Sequence, residues 1–194
     1  IAGGVGDSTI ARYGRNVSFT NRKETSKVED ATVMANHLSL AEQFAMADNF
    51  YVDCTNTGGG NGSVEDPFIT IEDGINATLG NGERVLVYPC TYQENIDYDG
   101  KNIIVESIEG PENTIIDGSN GGSSVVKFRN DEPASTKLKG FTITGGGTSS
   151  SIDYGGGIYI GGNGSASPTL EDLIIEGNNA EYGGGIYIGG NGSA

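Results

Sequence analysis

The phrase YGGGIYIGGNGSA occurs twice, from Tyr154 to Ala166 and from Tyr182 to Ala194, without a single difference. The copies start 28 residues apart, and a period of about 20–50 residues marks a chain that stacks one structural unit per repeat. Within the first copy Ile158 and Ile160 flank Tyr159 between glycines, the period-two pattern of a strand with one apolar face. A second phrase precedes it: LKGFTITG from Leu138 and LEDLIIEG from Leu170 share L-x-x-[FL]-x-I-x-G. These start 32 residues apart, because the TSSSIDY loop before the first GGG is four residues longer. The strand phrases keep their length while the loop absorbs the insertion, as in a solenoid that varies only outward.

A β-coil gives these phrases a physical reason. Each strand would hydrogen-bond to its equivalent on the next coil, and each inward isoleucine would stack on another. Such burial is worth roughly 1.5–3 kcal/mol per side chain, provided neighbouring coils cover it. RVLVYP, KNIIVESI, NTIIDG and SVVKF are short apolar runs between turn signals and fit the same use. The expectation is an all-β chain, a parallel β-solenoid of about four to five coils between Phe50 and Ala194. A hydrophobic content of 35% suits a thin column better than a thick core. The 33 glycines lack the every-third spacing of collagen, and no apolar run approaches the roughly 20 residues of a membrane helix.

From Phe50 onward the ordered pieces are FYVDCTNTGGGNGSVEDPFITIEDGI, RVLVYPCTYQENIDYDGKNIIVES, NTIIDG, GFTITGG, GGGIYIGG and SPTLEDLIIEGN. In this order the chain resembles the right-handed parallel β-helix proteins of the pectin-lyase-like superfamily. The resemblance implies a right-handed coil and an extracellular or cell-surface location. It also leads one to expect glycine where YPCTY has Cys90. Pairing with Cys54, the only other cysteine, would give that replacement a reason, and a single disulfide is geometrically open if the two lie on neighbouring layers.

The formal charge of −15 is uneven. Residues 1–49 hold 5 Lys/Arg and 6 Asp/Glu, whereas residues 50–194 hold 6 bases and 20 acids. That contrast places a domain boundary near Asn49 and argues against nucleic acid as a partner of the second part, since phosphates need a basic surface. Residues 1–49 read as an N-terminal extension. TIARYGRNVSF suggests an extended arm, and an amphipathic helix is expected over about 27–48, with a Ser26-x-x-Glu29 capping box and an apolar stripe at Ala31, Met34, Leu38, Ala41 and Phe44. A shorter helix, started by Asp66–Pro67 and carrying Phe68, Ile71 and Ile75, is expected to cap the first coil, weakened by Gly74. The chain opens on Ile1 without a leader, which reads as a processed chain or a fragment. The last repeat carries no cap, and terminal repeats are normally atypical. The expectation is that the coil continues or that this end meets another molecule.

Reactive constellations are sparse. His37 is the only histidine, and two cysteines do not complete a zinc site. NIDYDGKNIIVE has the spacing of a calcium loop, with Asn95, Asp97 and Asp99 as candidate ligands, but its flanks are β-like and DG reads as a corner. The resemblance also raises a polysaccharide lyase, with a Lys or Arg base beside acidic calcium ligands. Lys101, Lys127, Arg129, Lys137 and Lys139 are the candidate bases and Asp97, Asp99, Asp131 and Glu132 the candidate acids, none inside a matching motif. Tyr159 and Tyr187 are equivalent outward positions and would form an aromatic ladder able to stack on sugar rings. The expected function is a rigid extracellular scaffold, adhesin or filament component, non-catalytic here, needing no cofactor, with calcium as the alternative. Expected partners are a polysaccharide or surface glycan, or a second copy met through the N-terminal extension or the open C-terminal coil. The alternative is part of a glycan-active enzyme.

Overall fold

The computed structural model describes residues 7–12, 15–20, 49–147, 154–161 and 165–190. The chain divides into two compact units, Ile1–Met46 and Ala47–Ala194. In the first, β1 (Asp7–Arg12) and β2 (Arg15–Thr20) pair antiparallel, with Asp7 opposite Thr20 and Arg12 opposite Arg15. The expected arm therefore folds back on itself as two paired strands. The amphipathic helix expected over about 27–48 lies outside the described residues.

The second unit is built from three parallel sheets. One holds β3 (Asn49–Val52), β4 (Asn81–Val87), β7 (Asn102–Ser107), β10 (Lys137–Lys139) and β13 (Thr169–Glu171), in that spatial order. The second holds β5 (Cys90–Tyr92), β8 (Thr114–Asp117), β11 (Thr142–Thr144) and β14 (Ile174–Ile175). The third holds β6 (Ile96–Asp97), β9 (Val126–Phe128), β12 (Ile158–Ile160) and β15 (Ile186–Ile188). From β4 onward the chain visits the three sheets in rotation, and each strand pairs with the one a circuit later. This arrangement fits a parallel β-solenoid, and among the described residues it includes one helix, α1 (Ile71–Ala77).

Period-two alternation turns strand register into core columns. Phe50, Val85, Val105, Leu138 and Leu170 are register partners along the first sheet. Tyr92, Ile116, Ile143 and Ile175 line up along the second. Ile96, Val126, Ile158 and Ile186 do so along the third, with Phe128, Ile160 and Ile188 beside them. The interior members are sealed: Val85, Val105, Leu138, Ile116, Ile143, Val126, Phe128 and Ile158 have no exposed surface. Each adds burial only because its register partners lie above and below it.

Helix α1 starts later than expected. Asp66 and Pro67 do not open it; the Asp66 carboxylate accepts Asn56 Nδ2 (2.9 Å) and Gly60 N (3.2 Å), tying down a glycine loop. Phe68 forms a parallel bridge with Val52. Thr70 is the N-cap, its hydroxyl accepting from Asp73 N at 3.1 Å and donating to the Asp73 carboxylate at 2.7 Å. Gly74 is what lets the helix sit close: a Cβ there would lie 2.8 Å from Val85 Cγ1 and 2.9 Å from Val52 Cγ2. The helix is further held by Glu94, whose carboxylate oxygens accept Ile71 N (2.8 Å) and Glu72 N (3.0 Å).

Candidate functional site

The outward face of β12 and β15 carries one side chain per strand. Ile158 and Ile160 point into the column, so Tyr159 faces out, and Tyr187 is its register partner. Their rings are nearly coplanar in orientation, 9° apart, with centroids separated by 5.9 Å. Each ring folds along its own strand over the glycine two residues on. A Cβ on Gly161 would lie 3.0 Å from the Tyr159 hydroxyl oxygen and 3.2 Å from Cζ. A Cβ on Gly189 would lie 2.8 Å from the Tyr187 hydroxyl oxygen and 2.9 Å from Cζ. These glycines are thus present for space, and the rings form a flat aromatic floor.

Two further tyrosines join it, neither singled out from the sequence. Tyr154 and Tyr182 open the two copies of the repeated phrase and form a parallel bridge with one another. Gly155 and Gly183 follow them at φ 66° and 65°, the left-handed region that glycine enters without cost. Gly155 N donates to Tyr182 O at 2.9 Å, locking the corner across circuits. The Tyr154 ring stacks on Tyr182 (5.3 Å, 26°) and leans on Tyr187 (4.5 Å, 38°). Tyr154 is 39% and Tyr182 52% exposed. The legible signal was the phrase itself, which repeats both tyrosines at one fixed offset.

The calcium candidates do not converge. Asn95 Nδ2 donates to the carbonyls of Ser124 (2.9 Å) and Ser123 (3.3 Å). Asp97 accepts Asp99 N at 3.0 Å through Oδ1, and its Oδ2 lies 2.6 Å from Arg129 Nε. Asp99 accepts Asn130 Nδ2 at 2.9 Å. Asp99 and Gly100 make the corner, both with positive φ. Among the described residues no three Asp, Glu, His or Cys side chains come together as a metal-binding set.

Most candidate bases are engaged in holding the fold. Lys101 Nζ donates to the carbonyls of Ile75 (2.6 Å), Thr78 (3.1 Å) and Asn76 (3.3 Å), at the C-terminal end of α1. Lys137 and Lys139 lie 2.6 Å and 3.3 Å from opposite oxygens of Glu171. These bonds hold the Glu171 carboxyl below its ordinary pKa. Arg84 pairs with Glu106 on the same outer face. Glu132 is fully buried and accepts the N–H groups of Gly100 (2.9 Å) and Asn130 (3.1 Å), and Asp131 accepts Ser165 N. Among the described residues Lys127 makes no ion pair; it lies in register between Asp97 and Tyr159.

Burial raises the pKa of Glu94 and of Glu72, whose Oε2 accepts Asp97 N at 3.1 Å. It also raises those of Tyr92 and Tyr98, whose hydroxyls donate to Tyr88 O (2.9 Å) and Lys137 O (3.0 Å). Cys54 and Cys90 form a disulfide with Cα atoms 6.4 Å apart. No protein-family model matches the chain, and no curated protein or solved structure does so either. Among the described residues no helix is long and apolar enough to cross a membrane.

Proposed function

We propose that residues 47–194 are a rigid, non-catalytic β-helix module of an extracellular or cell-surface protein, which binds a linear glycan on its tyrosine floor. One observation carries this reading: Tyr159 and Tyr187, 5.9 Å apart and 9° from parallel, repeat at the spacing of the coils. That is a surface on which successive sugar rings of an extended chain can lie, one per coil. Aromatic rings suit this role, combining a large apolar face with a polar tip at low conformational cost. In this reading the coil is right-handed and pectin-lyase-like, of about four to five turns, with α1 closing its first turn. The Cys54–Cys90 disulfide supports an oxidising compartment.

Calorimetric titration of the chain with neutral β-linked and α-linked oligosaccharides tests this. Replacing Tyr159 and Tyr187 together by alanine should weaken binding by about tenfold or more, equivalent to about 1.4 kcal/mol. Phenylalanine at both positions should retain most of it. Equal affinity of the alanine variant for every sugar bound by the parent would overturn the reading.

A glycan-active enzyme is the second reading, and one observation favours it. A depression of about 500 Å³ on the outer side of β4, β7 and β10 is lined by Leu86, Glu106, Ser107, Ile108, Lys139 and Asp172, among others. Its lining cation, Lys139, is shared with Glu171, and the Asp172 carboxylate stands beside it. Incubation with acidic polysaccharides, followed by the absorbance of unsaturated products with and without calcium, tests it directly.

A further inference from the structure

We propose that Tyr154 and Tyr187 are the site of an oxidative cross-link, a dityrosine bond joining two successive repeats. The inference does not rest on glycan binding. It rests on a combination that this tyrosine group alone shows among the described residues, close ring approach together with open access. The Tyr154 and Tyr187 centroids are 4.5 Å apart at a tilt of 38°, and Tyr154 is 39% exposed. Tyr182, 52% exposed, backs Tyr154 at 5.3 Å and helps hold its ring against Tyr187. Among the described residues the hydroxyls of Tyr154 and Tyr187 enter no hydrogen bond, whereas those of Tyr92 and Tyr98 are committed to carbonyls. The Tyr51–Tyr88 pair is more distant, at 6.4 Å.

The oxidant would be hydrogen peroxide turned over by a haem peroxidase. Each phenol gives up one hydrogen atom, and the two phenoxyl radicals join through a carbon–carbon bond between positions ortho to oxygen. The hydrogen on each of these carbons then moves to the phenol oxygen, which restores both aromatic rings. One peroxide is reduced to two waters, and the protein is lighter by two hydrogens. The new bond closes a loop between residues 33 apart in sequence, removing freedom from the unfolded chain as a disulfide does.

The test uses the full chain, dilute, with a haem peroxidase and limiting peroxide. Cleavage after Glu171, Glu176 and Glu181 separates Tyr154 from Tyr187 in sequence, so the cross-link is read as a joined peptide pair. The expected result is a dityrosine-fluorescent monomer lacking two hydrogens, mapped to Tyr154–Tyr187, with a raised melting temperature. Tyr154→Phe and Tyr187→Phe should each abolish the product while leaving the unoxidised protein's melting unchanged, and Tyr182→Phe and Tyr88→Phe should leave the yield unchanged. Cross-links only between molecules, a bond mapped to other tyrosines, or an undiminished yield in Tyr154→Phe would each overturn the proposal.

Discussion

Ile158 has no exposed surface, whereas Ile186, its counterpart in the identical phrase, is 40% exposed. Their neighbours are the difference: Ile158 is covered by Val126 on one side and Ile186 on the other. Ile158→Ala should therefore cost about 2–5 kcal/mol in urea unfolding. A cost well below that range would contradict a column stabilised by its neighbours. Gly189 tests the aromatic floor at the same scale. The three atoms nearest a methyl group there all belong to the Tyr187 ring, so Gly189→Ala should displace the ring and weaken the glycan binding proposed above, with little loss of melting temperature. The same change at Gly161 would also crowd Gly189 O, 2.9 Å from the added carbon, and should cost stability as well.

Helix α1 shows how an element draws on residues distant in sequence. Glu94 supplies its first N–H groups with acceptors, and Lys101 supplies its last carbonyls with donors. Lys101→Met should destabilise the protein by about 1–2 kcal/mol, with unchanged secondary structure. The pKa values of Glu94 and Glu72 are raised on folding, because burial disfavours their charged forms. Their contribution to stability is complete below the unfolded carboxylate value and is lost as pH rises through the folded values. Urea midpoints should fall as pH rises above the unfolded carboxylate value of about 4.3, and Glu94→Gln should flatten the slope. Glu171, with a lowered value, works in the opposite sense at the more acid end.

Strand existence and facing were legible because period-two alternation and exact repetition act on neighbours in sequence. GFTIT and GGGIYI became strands facing as their isoleucines required, whereas the adjacent isoleucines of NTIID left its facing open, and there Ile116 is the buried one. The helix boundary was not, because Asp66 serves a loop through Asn56 and Gly60, contacts that no local pattern records. Gly74 read as a weakness because propensity sees its flexibility and not the Val52 and Val85 side chains beneath it. Of the aromatic site, Tyr159 and Tyr187 were legible from their strand positions, whereas Tyr154 and Tyr182 depend on how a glycine corner turns their rings.

Across the whole second unit, stability accumulates circuit by circuit, since each sheet grows only by adding the next strand in register. The Cys54–Cys90 disulfide joins residues on either side of α1 and β4, closing a loop of sequence separation 36. Replacing both cysteines by alanine should lower stability by about 2–4 kcal/mol on the loop-entropy model, measured by urea unfolding.

That bridge has a mechanical corollary. If the chain were drawn out from its two ends, the segment enclosed by Cys54 and Cys90 would stay slack inside the covalent ring while the other circuits peeled away. A reductant would then release a hidden length of about 120 Å, the reach of 36 residues at about 3.3–3.6 Å each. A filament or adhesin built on such a bridge would carry a length reserve governed by redox state, held at the end of the coil where the polypeptide first enters its sheets.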